Sequence, residues 1–266
     1  MGSKGAQILS SFCSIPPEKL PRGWQILGDV IIVKVSEEHK KEVGEALLKM
    51  YPRAKTVLRY LGLKGDLREP VVEVIAGSGE TETIVKENGC LYMLDASKIM
   101  FSKGNVEERR RMSRVGDDEE IVDMFAGVGH LSIPIAVHSK PKRILAIEIN
   151  PVAYDYLRRN IELNRIRCME AILGDSSKLT PEGGFDRVIM GHIYLARRFL
   201  SKGIRALKED GGILHFHDVA GDPSEPAELL KKACEKEGRR AKILEVRRIK
   251  SYAPRRYHYV VDAEIR

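Results

Sequence analysis

The chain has 266 residues, 43% of them apolar and 31% charged, a balance that supports a folded core and excludes a disordered or fibrous chain. No run approaches the roughly 20 apolar residues of a membrane span. Cys13, Cys90, Cys168 and Cys234 are scattered without a C-x-x-C pair, which speaks against a disulfide framework and a cysteine-rich zinc site. With no apolar leader at the N-terminus, a reduced, cytoplasmic setting is expected. Net charge is +7; basic and acidic side chains balance over residues 1–95, so the whole excess lies in 96–266. That asymmetry suits a polyanionic partner, nucleic acid ahead of membrane, or a plainly solvated basic surface.

In chain order, residues 1–22 carry Pro16, Pro17 and Pro21 and are expected to be an irregular lead-in. "QILGDVIIVKV" (25–35) predicts a strand and "EEHKKEVGEALLKM" (37–50) an amphipathic helix. "AKTVLRY", "VVEVIAG", "TETIVKE" and "CLYMLD" follow as short strands between Gly, Pro and Asn turns. Together they predict a small α+β domain over 23–95. Residues 96–116 form a linking segment whose "NVEERRRMSRVG" (105–116) reads as a helix.

From residue 117 the rhythm changes to alternating strands and helices. "EIVDMFAG", "RILAIEI", "CMEAILGD", "FDRVIMG" and "GGILHFHD" predict strands. "GHLSIPIAVHSK", "PVAYDYLRRNIELN", 195–209 and 224–237 predict helices. "AKILEVRRIKSYA" and "RYHYVVDAEI" close the chain as an antiparallel pair. Near-continuous apolar strands alternating with helices mean a parallel sheet covered on both faces. The expected fold class is α/β, a Rossmann-like class I S-adenosylmethionine (SAM)-dependent methyltransferase domain over 117–266 behind the small α+β domain.

The strongest chemical signal is "VDMFAGVGHLSIPIA". A strand ends at Asp123, and Phe125, Ala126, Gly127 and Gly129 form a turn into a helix whose first amides suit a ligand's polar groups. A dinucleotide site would add a third glycine where Ser132 stands, which disfavours NAD. Glu148 ends the next strand, where an acidic side chain accepts hydrogen bonds from both hydroxyls of a ribose; the bland reading is a surface carboxylate. Asp175, followed by Ser176, would reach an adenine edge or simply form a turn. These strand ends share one rim of the sheet.

With "DASKIMFSKGNVEERRRM", the glycine loop, the glutamate strand, "DRVIMGH" and "IKSYAPRRYHYVVDAEI" in view, the chain resembles the archaeal wybutosine-synthesis aminocarboxypropyltransferases. These are relatives of the tRNA guanosine-37 N1-methyltransferases. The resemblance runs from about residue 23 to the end. It implies SAM as donor of a 3-amino-3-carboxypropyl group, tRNA(Phe) as partner, and carbon 7 of 4-demethylwyosine at position 37 as acceptor. It also implies that Ser102 and Arg109 hold the amino-acid end of SAM, Glu148 its ribose and Asp175 its adenine side. The sequence departs from the family at Asp175-Ser176-Ser177-Lys178, against Asp-Asn-Arg-Asp, and at Met190-Gly191-His192, against Met-Gly-Tyr.

The turn after "DRVIM" bears on the group transferred. Methylation of a ring nitrogen benefits from a fixed side-chain acceptor such as the carbonyl of an Asn-Pro turn. Met190-Gly191-His192 supplies none, and Gly191 leaves room for the methionyl arm of SAM to present its γ carbon. His192 is a candidate proton acceptor, or it merely lines the pocket. His215 and His217 beside Asp218 read as a core or rim pair rather than a metal site, and no metal is expected. For RNA, residues 239–256 carry Arg239, Arg240, Lys242, Arg247, Arg248, Lys250, Arg255 and Arg256 against the single acidic Glu245, with Tyr252 and Tyr257 interleaved. Arg247, Arg248, Lys250, Tyr252, Arg255 and Arg256 are the candidate tRNA contacts, phosphates on the cations and a flipped purine on an aromatic ring. A solvated hairpin face is the bland alternative. The competing functions are a tRNA guanosine-37 N1-methyltransferase, a small-molecule methyltransferase and a non-catalytic tRNA- or SAM-binding module.

Overall fold

A computed structural model describes residues 4–65 and 67–266, which gather into two compact units, Met1–Lys86 with Leu91–Lys103 and Glu87–Cys90 with Gly104–Arg266. The first unit opens with helix α1 (Lys4–Leu9) and a 3-10 turn (Pro17–Lys19). Strands β1 (Trp24–Leu27) and β2 (Val30–Val33), helix α2 (Lys40–Met50), and strands β3 (Thr56–Lys64) and β4 (Glu69–Gly77) follow. The sheet order is β1-β2-β3-β4, with β2 and β3 parallel because α2 crosses between them. Ala6, Leu9, Ile31, Val43, Leu47 and Val57 share its core.

Three expectations differ from the structure here. Residues 1–22 are not simply irregular, because Ala6 and Leu9, one helical turn apart, bury α1 in the core and the prolines lie beyond its end. Residues 25–35 are not one strand but a hairpin: Gly28-Asp29 is a two-residue turn that sets Leu27 against Val30. The β5 (Glu82–Glu87) and β6 (Cys90–Asp95) hairpin has its tip, Glu87–Cys90, in the second unit. The contact boundary therefore falls at Lys103, not at residue 95, with that tip exchanged.

The second unit contains, in order, α3 (Val106–Met112), β7 (Glu120–Asp123), α4 (Ser132–His138), β8 (Arg143–Glu148), α5 (Pro151–Leu163), β9 (Met169–Leu173) and α6 (Ser176–Leu179). It continues with β10 (Arg187–Met190), α7 (Leu195–Arg198), α8 (Leu200–Ala206), β11 (Gly212–Ala220), α9 (Ser224–Lys236), β12 (Ala241–Ala253) and β13 (Arg256–Ile265). The sheet order is β12-β13-β11-β10-β7-β8-β9, with β13 antiparallel to both its neighbours. Val122, Leu145, Ile147, Val188, Leu214 and Phe216 lie at its centre. Because β8 and β10 flank β7 on opposite sides, the connections diverge there and open a crevice at the carboxyl ends of β7 and β10. The helix expected over 195–209 is broken: Phe199 leaves helical geometry between α7 and α8 and stacks on Phe125 at 5.7 Å. No helix among the described residues is long and apolar enough to cross a membrane.

Candidate active site

At the crevice the chain leaves β7 at Asp123 and turns sharply. Gly127 and Gly129 take φ of +57° and +92°, which side-chain-bearing residues rarely adopt, and a methyl group on Gly129 would sit 2.4 Å from Ile133 Cδ1. The Met124 and Ala126 amides donate to Ile189 O and Ile147 O, so the loop is stitched to the strands on both sides. Across from it, Glu148 accepts from Gly127 N and Asn150 N, both at 2.7 Å. A carboxylate oxygen accepts more than one hydrogen bond, so both oxygens keep capacity for vicinal hydroxyls. Burial pushes the Glu148 carboxyl upward, only partly opposed by the amides of Asn150 and Gly127.

Asp123, which the sequence reading noted only as a strand end, belongs to this site. It is 1% exposed, its Oδ1 accepts from Phe125 N at 3.2 Å, and its Oδ2 has no hydrogen-bond partner. Burial pushes it up to about 7, with the Glu148 charge adding to the effect. The signal was present: an aspartate ending a buried strand immediately before the glycine turn. Nearby on the loop, His130 is pushed down to about 3 by burial and by the charges of Arg109 and Lys250.

The other expected cofactor residues divide. Phe125 and Ala126 form the loop, with Ala126 buried. Asp175 caps α6, accepting from Ser177 N at 2.9 Å, and hydrogen bonds from Ser177 hold it below the usual carboxylate range. The bland turn-forming role is therefore present at Asp175, at the end of β9 on the same rim, with Ser176 buried beside it. A methyl group on Gly191 would lie 3.0 Å from Leu131 Cδ1, so the space at that turn is closely bounded. The Arg109 guanidinium is 1% exposed, and its Nε and Nη2 donate to the Glu87 carboxylate at 2.5 and 2.8 Å, so the fork expected for a ligand also grips a side chain. Ser102 falls in the first unit and Arg109 in the second.

The His192 Nδ1 accepts from Tyr194 N at 3.3 Å and Leu195 N at 3.1 Å, at the start of α7. In the neutral ring the proton then sits on Nε2, so the ring's acceptor nitrogen is committed to the backbone. The ring tilts against Phe125 at 5.7 Å.

On the terminal hairpin the candidate RNA contacts also separate. Arg247 is turned into the protein, its Nη2 donating to Asp262 at 2.8 Å, with Glu245 and Glu108 also paired to it, which removes it from the solvated set. Arg248 covers the Tyr257 ring at 3.5 Å. Arg256 pairs with Glu225 at 3.5 Å, while Arg255 is exposed at the hairpin turn. Tyr252 meets Tyr194 edge to face at 5.7 Å. Beneath the hairpin, His215 donates from Nδ1 to Asp262 at 2.6 Å and accepts at Nε2 from Arg187 at 2.6 Å; His217 pairs with His258 at 3.1 Å. These histidines tie the sheet together. At the opposite, amino-terminal rim, a depression of about 500 Å³ is lined by Asp118, Glu119, Asp186, Asp210 and Glu264 together with the basic Arg266, a mostly acidic surface unsuited to a polyanion.

Comparison with known proteins gives this geometry its context. The TRM5/TYW2 methyltransferase domain matches residues 83–244 and the TYW2 N-terminal domain residues 6–81. A tRNA(Phe) (4-demethylwyosine(37)-C(7)) aminocarboxypropyltransferase of Methanocaldococcus jannaschii is 44% identical over 248 residues, 91% of this chain and 97% of that one. The crystal structure of Pyrococcus horikoshii TYW2 in complex with MeSAdo superposes with a TM-score of 0.84 at 37% identity, covering 97% of each chain. The complex of aTrm5 with tRNALeu superposes at 0.82 with 34% identity, covering 99% of this chain and 75% of that one. The crevice with its glycine turn and paired buried carboxylates thus sits in a chain that belongs to the TRM5/TYW2 methyltransferase family and carries a TYW2-type N-terminal domain.

Proposed function

We propose that the protein transfers the 3-amino-3-carboxypropyl group of SAM to carbon 7 of 4-demethylwyosine at position 37 of tRNA(Phe), releasing methylthioadenosine. The crevice fits the donor on its own chemistry. Glu148 has acceptor capacity for a ribose, and Asp123 is a buried carboxylate without a cation, suited to a ligand that brings positive charge. Asp175 and Ser176 line the adenine side, and Phe125, Ala126, Gly127, Gly129 and Gly191 wall the pocket. Arg109, held in place by Glu87, is proposed at the amino-acid end. The sulfonium of SAM activates the γ carbon of the amino-acid arm as well as the methyl group.

The observation that carries the choice of group is the turn after β10. Gly191 packs against Leu131, and the His192 Nδ1 is committed to two backbone amides, so no side-chain carbonyl orients a ring nitrogen for methylation. Arg248, Tyr252, Arg255 and Arg256 are exposed and form the proposed RNA edge, with the half-buried Lys250 beside them.

Incubating the protein with tRNA bearing 4-demethylwyosine and SAM labelled either in the methyl or in the aminocarboxypropyl carbons tests this. Label from the amino-acid arm in the tRNA, with methylthioadenosine as co-product, is expected. Methyl label in the nucleoside refutes the reading in favour of a methyltransferase, and no label in either arm in favour of a binding module.

A further inference from the structure

Five rings run in sequence along the carboxyl-end rim of the second unit. Phe199 stacks on Phe125 at 5.7 Å and 14°, and His192 tilts against the same Phe125. Two residues further, Tyr194 meets Tyr252 at 5.7 Å and 81°. Their burial is graded. Phe125 and Phe199 pack against the core, whereas Tyr194 is 48% and Tyr252 36% exposed. The two exposed rings come from different elements, the start of α7 and the end of β12, and each limits the other's rotation.

Tyr194 is also fixed through its backbone, since its amide donates to the His192 Nδ1. This pair adjoins the catalytic crevice, because His192 touches Phe125 of the glycine loop. Lys250 lies two residues before Tyr252 on β12. Arg255 stands exposed at the tip of the same hairpin. Flat apolar faces held rigidly beside a crevice and flanked by cations are matched in chemistry to an unstacked nucleobase with its phosphates.

We propose that the exposed ring of Tyr194, braced at near right angles by Tyr252, is the shelf on which the extruded base stacks, and that Tyr194 selects a fused tricyclic base over an ordinary guanine. This rests on the tRNA reading above. Stacking grows with overlapped area, so a third ring gains from a platform that reaches beyond the Phe125–His192 wall, while a bicyclic base does not extend across it. Tyr194 is then a specificity residue that touches substrate.

The test uses the full chain, tRNA carrying the tricyclic base as substrate, and tRNA carrying guanosine or 1-methylguanosine at the same position as competitor. Tyr194→Ala is expected to raise KM for the tricyclic tRNA by about 5-fold to about 150-fold, with a smaller change in kcat and in the inhibition constant of the guanine-bearing tRNAs. Tyr194→Phe should behave as wild type and Tyr252→Ala should shift KM in the same direction. An unchanged KM in Tyr194→Ala overturns the proposal. So does equal loss for tricyclic and guanine-bearing tRNA, or a Tyr194→Leu variant as good as Tyr194→Phe, which would assign the ring a packing role. If the wild type transfers nothing, the parent reading fails by itself. Direct binding of the two kinds of tRNA to wild type and Tyr194→Ala then decides the shelf: wild-type preference for the tricyclic tRNA, lost in the variant, supports it, and its absence overturns it.

Discussion

Two parts of the second unit's sheet hold their buried carboxylates in opposite ways. Beside the glycine loop, Asp123 and Glu148 face backbone amides and no cation, and burial pushes both upward. Beneath the hairpin, burial acts on Asp262 in the same direction, but the His215 hydrogen bond and the charges of Arg111 and Arg247 overcome it and hold the carboxyl well below its usual range. A carboxylate supplied with its own cations is structural. One left desolvated beside amides is costly until a ligand provides hydroxyls or positive charge. The difference marks where the ligand goes more sharply than cavity shape does.

The largest expected effect tests the structural side. Asp262→Ala would leave His215 without its anion and take from Arg111 and Arg247 one of the carboxylates that hold them, Glu108 remaining, and should cost about 3 kcal/mol in a denaturant titration. SAM affinity of the folded fraction should hardly move; a parallel collapse of binding would erase the distinction between the two sides. Next, Glu148→Gln removes a charged acceptor from the ligand side. It should weaken SAM binding about 10-fold to about 100-fold by calorimetry, with little loss of stability.

A smaller effect separates the sides by pH. Asp123, raised to about 7, contributes stability that is present below its unfolded value of about 4 and lost as pH rises through about 7. Ligand-free Asp123→Asn should therefore be more stable than wild type at pH 8, by about 1–2 kcal/mol once the altered Phe125 hydrogen bond is allowed for, and not at pH 4. His217, pushed down to about 3 by burial and by His215 and Arg111, has the opposite sign. Its contribution is present above about 6.5 and lost on acidification, so His217→Gln should flatten the acid limb of the stability profile. Smallest of all, Arg255→Ala should reduce the salt slope of tRNA binding by about one and cost less than about 1 kcal/mol. An unaltered slope would remove that hairpin tip from the RNA edge.

Much of the catalytic unit was legible because its information is local. Buried parallel strands such as "RVIM" and "RILAIE" are uninterrupted apolar runs between turns, and the glycine loop, Glu148 and Asp175 follow at strand ends. Local reading failed where a distant partner decided. Phe199 stands between α7 and α8 and stacks on Phe125 where the pattern reads as one helix, and nothing near Arg109 or Arg247 in the chain announces their partners Glu87 and Asp262. Tyr194 carried no signal at all; its neighbour Tyr252 is 58 residues away in sequence.

The amino-acid order by itself therefore determined the alternation of strands and helices, the class of fold, and which residues reach the carboxyl-end rim, because periodicity and turn chemistry act over a few residues. Only the tertiary structure decided which charges are already neutralised and which remain for a ligand. Ion pairing and desolvation depend on what lies within a few ångströms in space, and side chains far apart in the chain meet only when the sheet has formed.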